Sequence, residues 1–238
     1  MVAENSCVTR PGLVRLGISS CLLGEEVRYN GGHVKDDFLV NTLGQYVQWV
    51  PVCPEVEMGM GVPRENVRLV GDAEDPRLVA PKSGTDHTDT MKKWAGQRLL
   101  ELAGMDLHGY ILKKDSPSCG LFRTKVYGGA AVPSRNGRGL FARELVNKFP
   151  MLPLEEEGRL RDPKLRENFI GRVFAYQRLL RLISNGPKAK NLIGFHASHK
   201  LSIMAHSPQG QKELGKLVAE AGRVAIDDLT AEYGRIFM

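Results

Sequence analysis

Three short apolar segments, each followed by a cysteine-containing turn, constrain the fold of this 238-residue sequence more than any other feature. Apolar and β-branched residues fill 13–19, 45–53 and 109–112, a pattern typical of buried strands. Between the second and third of these, 86–103 carries a helical apolar stripe that ends at Gly104. Alternating strands and helices predict a Rossmann-like α/β fold, with a mostly parallel sheet and helices on both faces.

The composition is that of an ordinary globular protein. Hydrophobic residues make up 42% and charged residues 25% of the chain, which excludes wholesale disorder. No run of 18 apolar residues occurs, and the N-terminal sequence lacks the basic start and apolar core of a secretion signal. The 4 cysteines therefore indicate reduced thiols or metal ligands rather than disulfides. We expect a cytoplasmic protein that contacts no membrane.

The pattern changes after residue 150, and we expect two domains, an α/β domain over 1–150 and a small all-α, basic domain over 159–238. The segment 150–158 contains two prolines and three consecutive glutamates, and we interpret it as a solvated linker. Predicted helices follow an Asp162–Pro163 start to about 184, and then cover about 188–205 and 211–225.

The net charge of +6 is concentrated in one part of the chain. Residues 1–150 carry 19 Lys and Arg against 17 Asp and Glu, whereas 159–200 carry ten against two. Such a band attracts phosphates, and RNA is the obvious polyanion. A solvated helix face explains the charge equally well. The candidate RNA-binding residues are Arg159, Arg166, Arg172, Arg178, Lys188 and Lys200.

Cys21, Cys53 and Cys119 each lie in the turn that follows a predicted strand. In an open α/β sheet, ligands bind beyond the carboxyl ends of the strands, so we expect these thiols to converge on one site. They can hold zinc with a fourth ligand such as His33 or water, they can hold a 4Fe–4S cluster, or they can be buried apolar thiols. Cys7 shares none of this context. The spacing alone leaves the three alternatives open.

Four separated strings resemble the TudS desulfidase family, in the same order along the chain. They begin at Ser19, Val27, Pro51 and Ser116 and read SSCLLGE, VRYNGGH, PVCPEV and SPSCG. The resemblance covers about residues 12–150. Further strings that begin at 158, 165 and 195 resemble the helical domain fused to it in the RudS branch.

The resemblance implies a 4Fe–4S cluster held by Cys21, Cys53 and Cys119, with one iron free of protein ligands. It also implies removal of sulfur from thiouracil-type bases, and for the RudS branch from 4-thiouridine in tRNA. A soft thione sulfur suits a thiophilic metal, and water that attacks C4 then gives an oxo base and sulfide. No electron is transferred overall, so we expect neither a nicotinamide nor a flavin cofactor.

The family pattern places its catalytic carboxylate at Glu55 and its catalytic serine at Ser116. A carboxylate two residues after Cys53 could activate the attacking water and later protonate the departing sulfide. The alternative interpretations are a surface carboxylate and a turn-capping hydroxyl. Glu57 and Ser118 are the local competitors, because a shift of one turn exchanges the roles.

Arg28, Arg64 and Lys113 lie close in sequence to the cysteine turns and are the candidate substrate-binding residues, although each is equally compatible with a solvated surface charge. His196 and His199 share a predicted helix face, and we interpret them as polar-face or RNA-contacting residues rather than metal ligands. Two other functions stay open. One is a desulfidase of free thiolated bases or nucleotides, and the other is a zinc-containing RNA-binding module without catalysis.

Overall fold

A computed structural model describes residues 12–128 and 132–238 of the chain, so Cys7 lies outside the described residues. The strands are β1 (Val14–Ser19), β2 (Val47–Val52), β3 (Arg68–Gly71), β4 (Pro76–Val79), β5 (Gly109–Leu112), β6 (Thr124–Tyr127), β7 (Ser134–Gly137) and β8 (Leu154–Glu156). The helices are α1 (Pro54–Glu57), α2 (Thr88–Ala103), α3 (Leu140–Lys148), α4 (Pro163–Ser184), α5 (Ala189–His206), α6 (Pro208–Ala219) and α7 (Ile226–Phe237).

The first sheet has the strand order β2-β1-β5-β8, and its neighbouring strands are all parallel. Ser19 lies opposite Val52, and Ile18 lies opposite Ile111, so β1, β2 and β5 end at the same edge. The predicted α/β fold with a parallel sheet is confirmed. All three cysteine turns leave from this carboxyl edge.

Helices cover both faces of the first sheet. On one face, Leu16 and Ile18 of β1 pack with Phe169 and Val173 of α4. On the other, Tyr110 of β5 packs with apolar residues of α2 and α3. Full burial of each such aliphatic or aromatic side chain contributes about 1.5–3 kcal/mol, so the two layers hold the sheet edge in place.

A second, mixed sheet with the order β4-β3-β6-β7 was not predicted. Its strands have only 4 residues each, too few to reveal a period of two against neighbouring turns. Leu69, Leu78 and Val126 face the core, whereas Arg68 and Lys125 are exposed. One face of this sheet is therefore open and basic.

The interpretation of 150–158 as a solvated linker is wrong. Its residues 154–156 form β8, which pairs with β5 at the edge of the first sheet, and Glu155, Glu156 and Glu157 are all buried. Each carboxylate is compensated. Glu155 pairs with Arg159, Glu156 accepts the amides of residues 121 and 122, and Glu157 pairs with Lys113. The run of three glutamates in the sequence does not by itself show that these carboxylates are buried and paired.

The helical region follows the predicted order, with one addition. Asp162 caps α4, as expected, and accepts the amides of Lys164 and Leu165. The third predicted helix ends at Ala219, and α7 follows it as a separate helix. Because α4 packs on β1 of the first sheet, it links the α/β core to the helices that follow. The proposed division into two domains stays a prediction.

Candidate functional site

The carboxyl edge of the first sheet brings the three cysteines to one cleft. Cys21 lies in a short turn after β1 that closes at Gly24, whose φ of 96° favours glycine. Cys53 caps the N-terminus of α1, and Cys119 lies in the turn after β5. All three line a cavity of about 330 Å³ that is open to solvent.

The three thiols lie within electrostatic reach of one another, and their protonation reflects this. Burial and, to a lesser extent, the neighbouring Cys53 raise the pKa of Cys21 to about 12. Burial also raises the pKa of Cys53 and, most strongly, that of Cys119. Three soft sulfur donors in one cleft suit a thiophilic metal group.

A zinc site completed by His33 finds no support. His33 is exposed, it does not line the cleft, and its Nδ1 accepts the amide of Lys35 at 3.2 Å. Among residues 12–128 and 132–238, no group of three or more His, Cys, Asp or Glu side chains is placed to hold a metal ion.

Glu55 lines the cleft, and its carboxylate is held from both sides. Its Oε2 accepts two hydrogen bonds from Arg64, from Nε at 2.9 Å and from Nη2 at 2.7 Å. Its Oε1 accepts one from the hydroxyl of Ser118 at 2.8 Å. The Arg64 side chain is only 4% exposed, so this ion pair is shielded from water. The carboxylate is fixed in orientation, and Oε1 retains lone pairs for a further donor.

Of the two competing glutamates, only Glu55 lines the cleft, and Glu57 points away from it. Glu57 accepts the backbone amide of Cys53 at 3.0 Å and pairs with Arg98 of α2 at 3.1 Å. Burial raises its pKa. Glu57 thus anchors the cysteine turn to α2 and does not face the space between the thiols.

Ser116 lines the cleft and also caps the turn that carries Cys119. Its Oγ accepts the amides of Cys119 at 3.1 Å and Ser118 at 3.3 Å. A hydroxyl has two lone pairs and one hydrogen, so Ser116 can still donate to a molecule in the cleft. The turn-capping interpretation is therefore correct and compatible with the functional one. Ser118, its competitor, is fully buried and donates to Glu55.

The three predicted substrate-binding cations all line the cleft, but they differ in how many hydrogen bonds and ion pairs they already form with the protein. Lys113 pairs with Glu157 and donates to the carbonyl of Lys114. Arg64 donates four hydrogen bonds within the protein. Two go to the Glu55 carboxylate, and one each goes to the carbonyls of Val27 and Gly61. Within the part of the chain that the structure describes, Arg28 has no ion pair. Of these three cations, Arg28 is therefore the one best placed to bind a ligand.

The basic residues of the helical region do not share one face. Arg166, Arg172 and Arg178 follow one another at six-residue spacing on α4, which points them in different directions. Arg166 stacks on the ring of Phe38, Arg172 donates to the carbonyl of Met238, and Arg178 donates to His199. Arg159 pairs with Glu155, whereas Lys188 and Lys200 are exposed. Binding of RNA by these six residues stays a prediction.

The interpretation of His199 as a polar-face residue is wrong. His199 is 8% exposed and stacks on Phe195 at 4.2 Å between ring centroids. Its Nε2 accepts from Arg178 at 3.1 Å. His196 is half-buried and lies 3.2 Å from the hydroxyl of Tyr233 of α7. Both histidines join helices together, and burial lowers the pKa of each.

Several polar residues of the cleft were given no role by the sequence analysis, and Ser19 and Asn66 are two of them. Ser19 is buried at the end of β1, accepts the amide of Lys113 at 3.0 Å, and hydrogen-bonds to Cys119. Asn66 also lines the cleft. The Ser-Ser-Cys string pointed to Ser19, whereas no pattern singled out Asn66.

Comparison with known proteins places this site in a family. The model of the 2-thiouracil desulfurase family matches residues 16–157, and that of a family of unknown function, DUF1722, matches residues 200–238. The uncharacterized protein YbbK of Bacillus subtilis (strain 168) is 33% identical over 108 residues, which cover 43% of this chain and 71% of YbbK. Among the described residues, no helix has the length and apolar character needed to cross a membrane.

A solved structure is similar to the α/β part. It is that of a 4Fe–4S-dependent thiouracil desulfidase, TudS, with a TM-score of 0.53 and 27% identity. The match covers 65% of this chain and 97% of that one.

Proposed function

The chain belongs to the 2-thiouracil desulfurase family, which confirms the resemblance to TudS, and on this premise we propose that it desulfurates 4-thiouridine in tRNA or a thiouracil nucleotide. The observation that carries the proposal is the convergence of Cys21, Cys53, Cys119 and Glu55 on one cleft. The reaction balances as a hydrolysis. The thiocarbonyl base and one water give the oxo base and hydrogen sulfide, with no change of oxidation state.

The donor set of the cleft fits a 4Fe–4S cluster. The three cysteines that we propose as ligands are buried or half-buried thiols at the ends of three neighbouring strands. Each of the three cysteines would bind a different iron, so their sulfur atoms need not converge on a single point. Bound there, such a cluster supplies a thiophilic iron without a protein ligand, which would polarise the C–S bond.

Glu55 is the proposed general base, and we expect Arg64 to position it. Arg64 and Ser118 fix the carboxylate plane, and the remaining lone pairs of Oε1 can take the proton of an attacking water. Ser116 retains its hydroxyl hydrogen, which can be donated to the base or to the leaving sulfur. The chain thus provides a proton acceptor and a proton donor in the same cleft as the thiols.

Two classes of substrate remain candidates, a phosphate-bearing one and a free thiolated base. Arg28, which lines the cleft and forms no ion pair with any described residue, supports a phosphate-bearing substrate, either a mononucleotide or 4-thiouridine in tRNA. A free thiolated base needs no such cation. The family match favours a desulfidase over the zinc-containing RNA-binding module.

The test is turnover by the anaerobically reconstituted chain, without added reductant. We expect 4-thiouracil to yield uracil and sulfide in equal amounts. Comparison of tRNA that contains 4-thiouridine with 4-thiouridine monophosphate at increasing salt then ranks the substrates, because binding of a polyanion weakens much more steeply with salt. Absence of sulfide release from every thiolated substrate would overturn the proposed function.

A further inference from the structure

A groove of about 300 Å³ continues the cysteine cleft onto the second sheet. The cleft and the groove share the four lining residues Asn66, Val67, Asp115 and Pro117. A ligand that lies in the cleft can therefore extend into the groove without leaving the protein surface. None of the residues that line the groove belongs to the basic helices, so the groove is a separate site.

The groove is lined by cations that the protein leaves available. Arg68 of β3 and Lys125 of β6 are both exposed, and neither forms an ion pair with any residue that the structure describes. The guanidinium of Arg68 lies over the ring of Tyr127, 4.8 Å from its centroid, which restricts its orientation. The acidic lining residue, Asp115, is neutralised by Arg135 at 3.1 Å. The groove therefore favours an anion.

We propose that this groove binds a phosphate group of a nucleotide substrate, with Arg68 and Lys125 as the binding residues and Tyr127 as the residue that orients Arg68. The proposal rests on the proposed function, because it assumes that a thiolated base occupies the adjoining cleft. A planar guanidinium binds phosphate oxygens in pairs, and the lysine adds a second charge. The phosphate can be the nucleotide's own or that of its neighbour in an RNA strand.

The experiment compares three substrates with graded phosphate content: 4-thiouracil, 4-thiouridine 5′-monophosphate, and a pentaribonucleotide with 4-thiouridine at its centre. The variants are Arg68→Gln and Lys125→Gln. Arg77→Gln is the matched control, since Arg77 lies on the same sheet but outside the groove and pairs with Asp86. We expect each groove variant to raise KM for a phosphate-bearing substrate roughly tenfold, as the loss of a charge-assisted hydrogen bond predicts, and to leave KM for 4-thiouracil unchanged.

The substrate arms identify the source of the phosphate. A rise in KM for both the nucleotide and the pentanucleotide supports binding of the substrate's own phosphate, and a rise for the pentanucleotide alone supports binding of a neighbouring one. For the latter, the slope of log KM against log salt concentration should fall by about 0.7 for each cation removed. Unchanged KM values for both substrates, or equal changes in Arg77→Gln, would overturn the proposal.

Failure of the proposed desulfidase function can be distinguished from failure of the proposed phosphate site. If the wild-type chain releases no sulfide from 4-thiouracil, the groove is tested directly with fluorescein-labelled pentauridylate by anisotropy. Roughly tenfold weaker binding by Arg68→Gln and Lys125→Gln, but not by Arg77→Gln, would then support a phosphate site. Equal binding by all four proteins would refute it.

Discussion

Arg64 holds Glu55 through two hydrogen bonds to the same carboxylate oxygen, at 2.9 and 2.7 Å, and is itself 4% exposed. This leaves the other oxygen to Ser118 and to the cleft. Arg64 lies nine residues after Glu55, so the pairing depends on the loop after α1, which turns back toward the cleft. The cation that the sequence suggested as a substrate contact thus also positions the proposed base.

Replacement of Arg64 by lysine separates these two roles. A lysine keeps the charge but cannot reproduce the forked contact. We expect Arg64→Lys to lower kcat for 4-thiouracil at least about tenfold while KM and iron content stay close to those of the wild type. A variant with unchanged kcat and raised KM would show instead that Arg64 contacts substrate.

Glu55→Gln tests the general base itself. The amide retains a hydrogen-bond acceptor for Ser118 but cannot accept the proton of water. We expect the variant to bind the same amount of iron and to lose about 10²–10⁴-fold in kcat, the usual contribution of a general base. Glu57→Gln is the matched control, because Glu57 faces Arg98 and not the cleft. Its kcat should stay within about twofold of the wild type, and equal losses in the two variants would remove Glu55 from the mechanism.

The fold tolerates no side chain at Gly17 in the centre of β1. A Cβ atom there would lie 2.1 Å from the ring of the fully buried Tyr110. We expect Gly17→Ala to lower the free energy of unfolding by about 1–3 kcal/mol, as overpacking does. Gly96→Ala is the control, because Gly96 lies in α2 with open space around it and should gain about 0.5–1 kcal/mol. Denaturant unfolding of both variants measures the difference, and a destabilised Gly96→Ala with a normal Gly17→Ala would contradict this packing.

Stability should fall in mild acid because of His108. Burial lowers its pKa, and its Nδ1 accepts the amide of Arg15 at 2.9 Å, which requires the neutral ring. A folded-state pKa below the unfolded value of about 6.5 stabilises the fold above that pH. The stabilisation is lost as pH falls through the lowered pKa. Urea unfolding between pH 7.5 and 5 should show a smaller decline for His108→Asn than for the wild type; identical declines would contradict the assignment.

The sequence was sufficient where a pattern was long or repeated. The strands before Cys21 and Cys53 and the long helices α2 and α4 were predicted because their apolar patterns span enough residues to be recognised. The four-residue strand before Cys119 was predicted because it is a continuous apolar run that breaks into a turn. The convergence of the thiols followed from the rule that parallel strands end at one edge. Glu55 and Ser116 were chosen from the family resemblance. Arg28, Arg64 and Lys113 were chosen because they lie close in sequence to the cysteine turns.

Other features could not be read from the sequence for physical reasons. The second sheet consists of four-residue strands whose partners lie far apart, such as Leu69 and Val126. The buried run at 155–157 looks solvated because its compensating partners, such as Lys113, are distant in sequence. His199 resembled a surface residue because the packing of α5 on α4 and α7 is a tertiary effect. The open basic groove beside the cleft depends on that same second sheet.

The iron and acid-labile sulfide content of the anaerobically purified and reconstituted chain tests the central claim most directly. We expect a brown protein with about four irons and four sulfides per chain. Cys119→Ser should lose iron and activity together. Cys7 follows none of the three predicted strands in the sequence, so Cys7→Ser should retain both. A colourless protein with one zinc, or a Cys119→Ser variant that keeps the full cluster, would contradict the account.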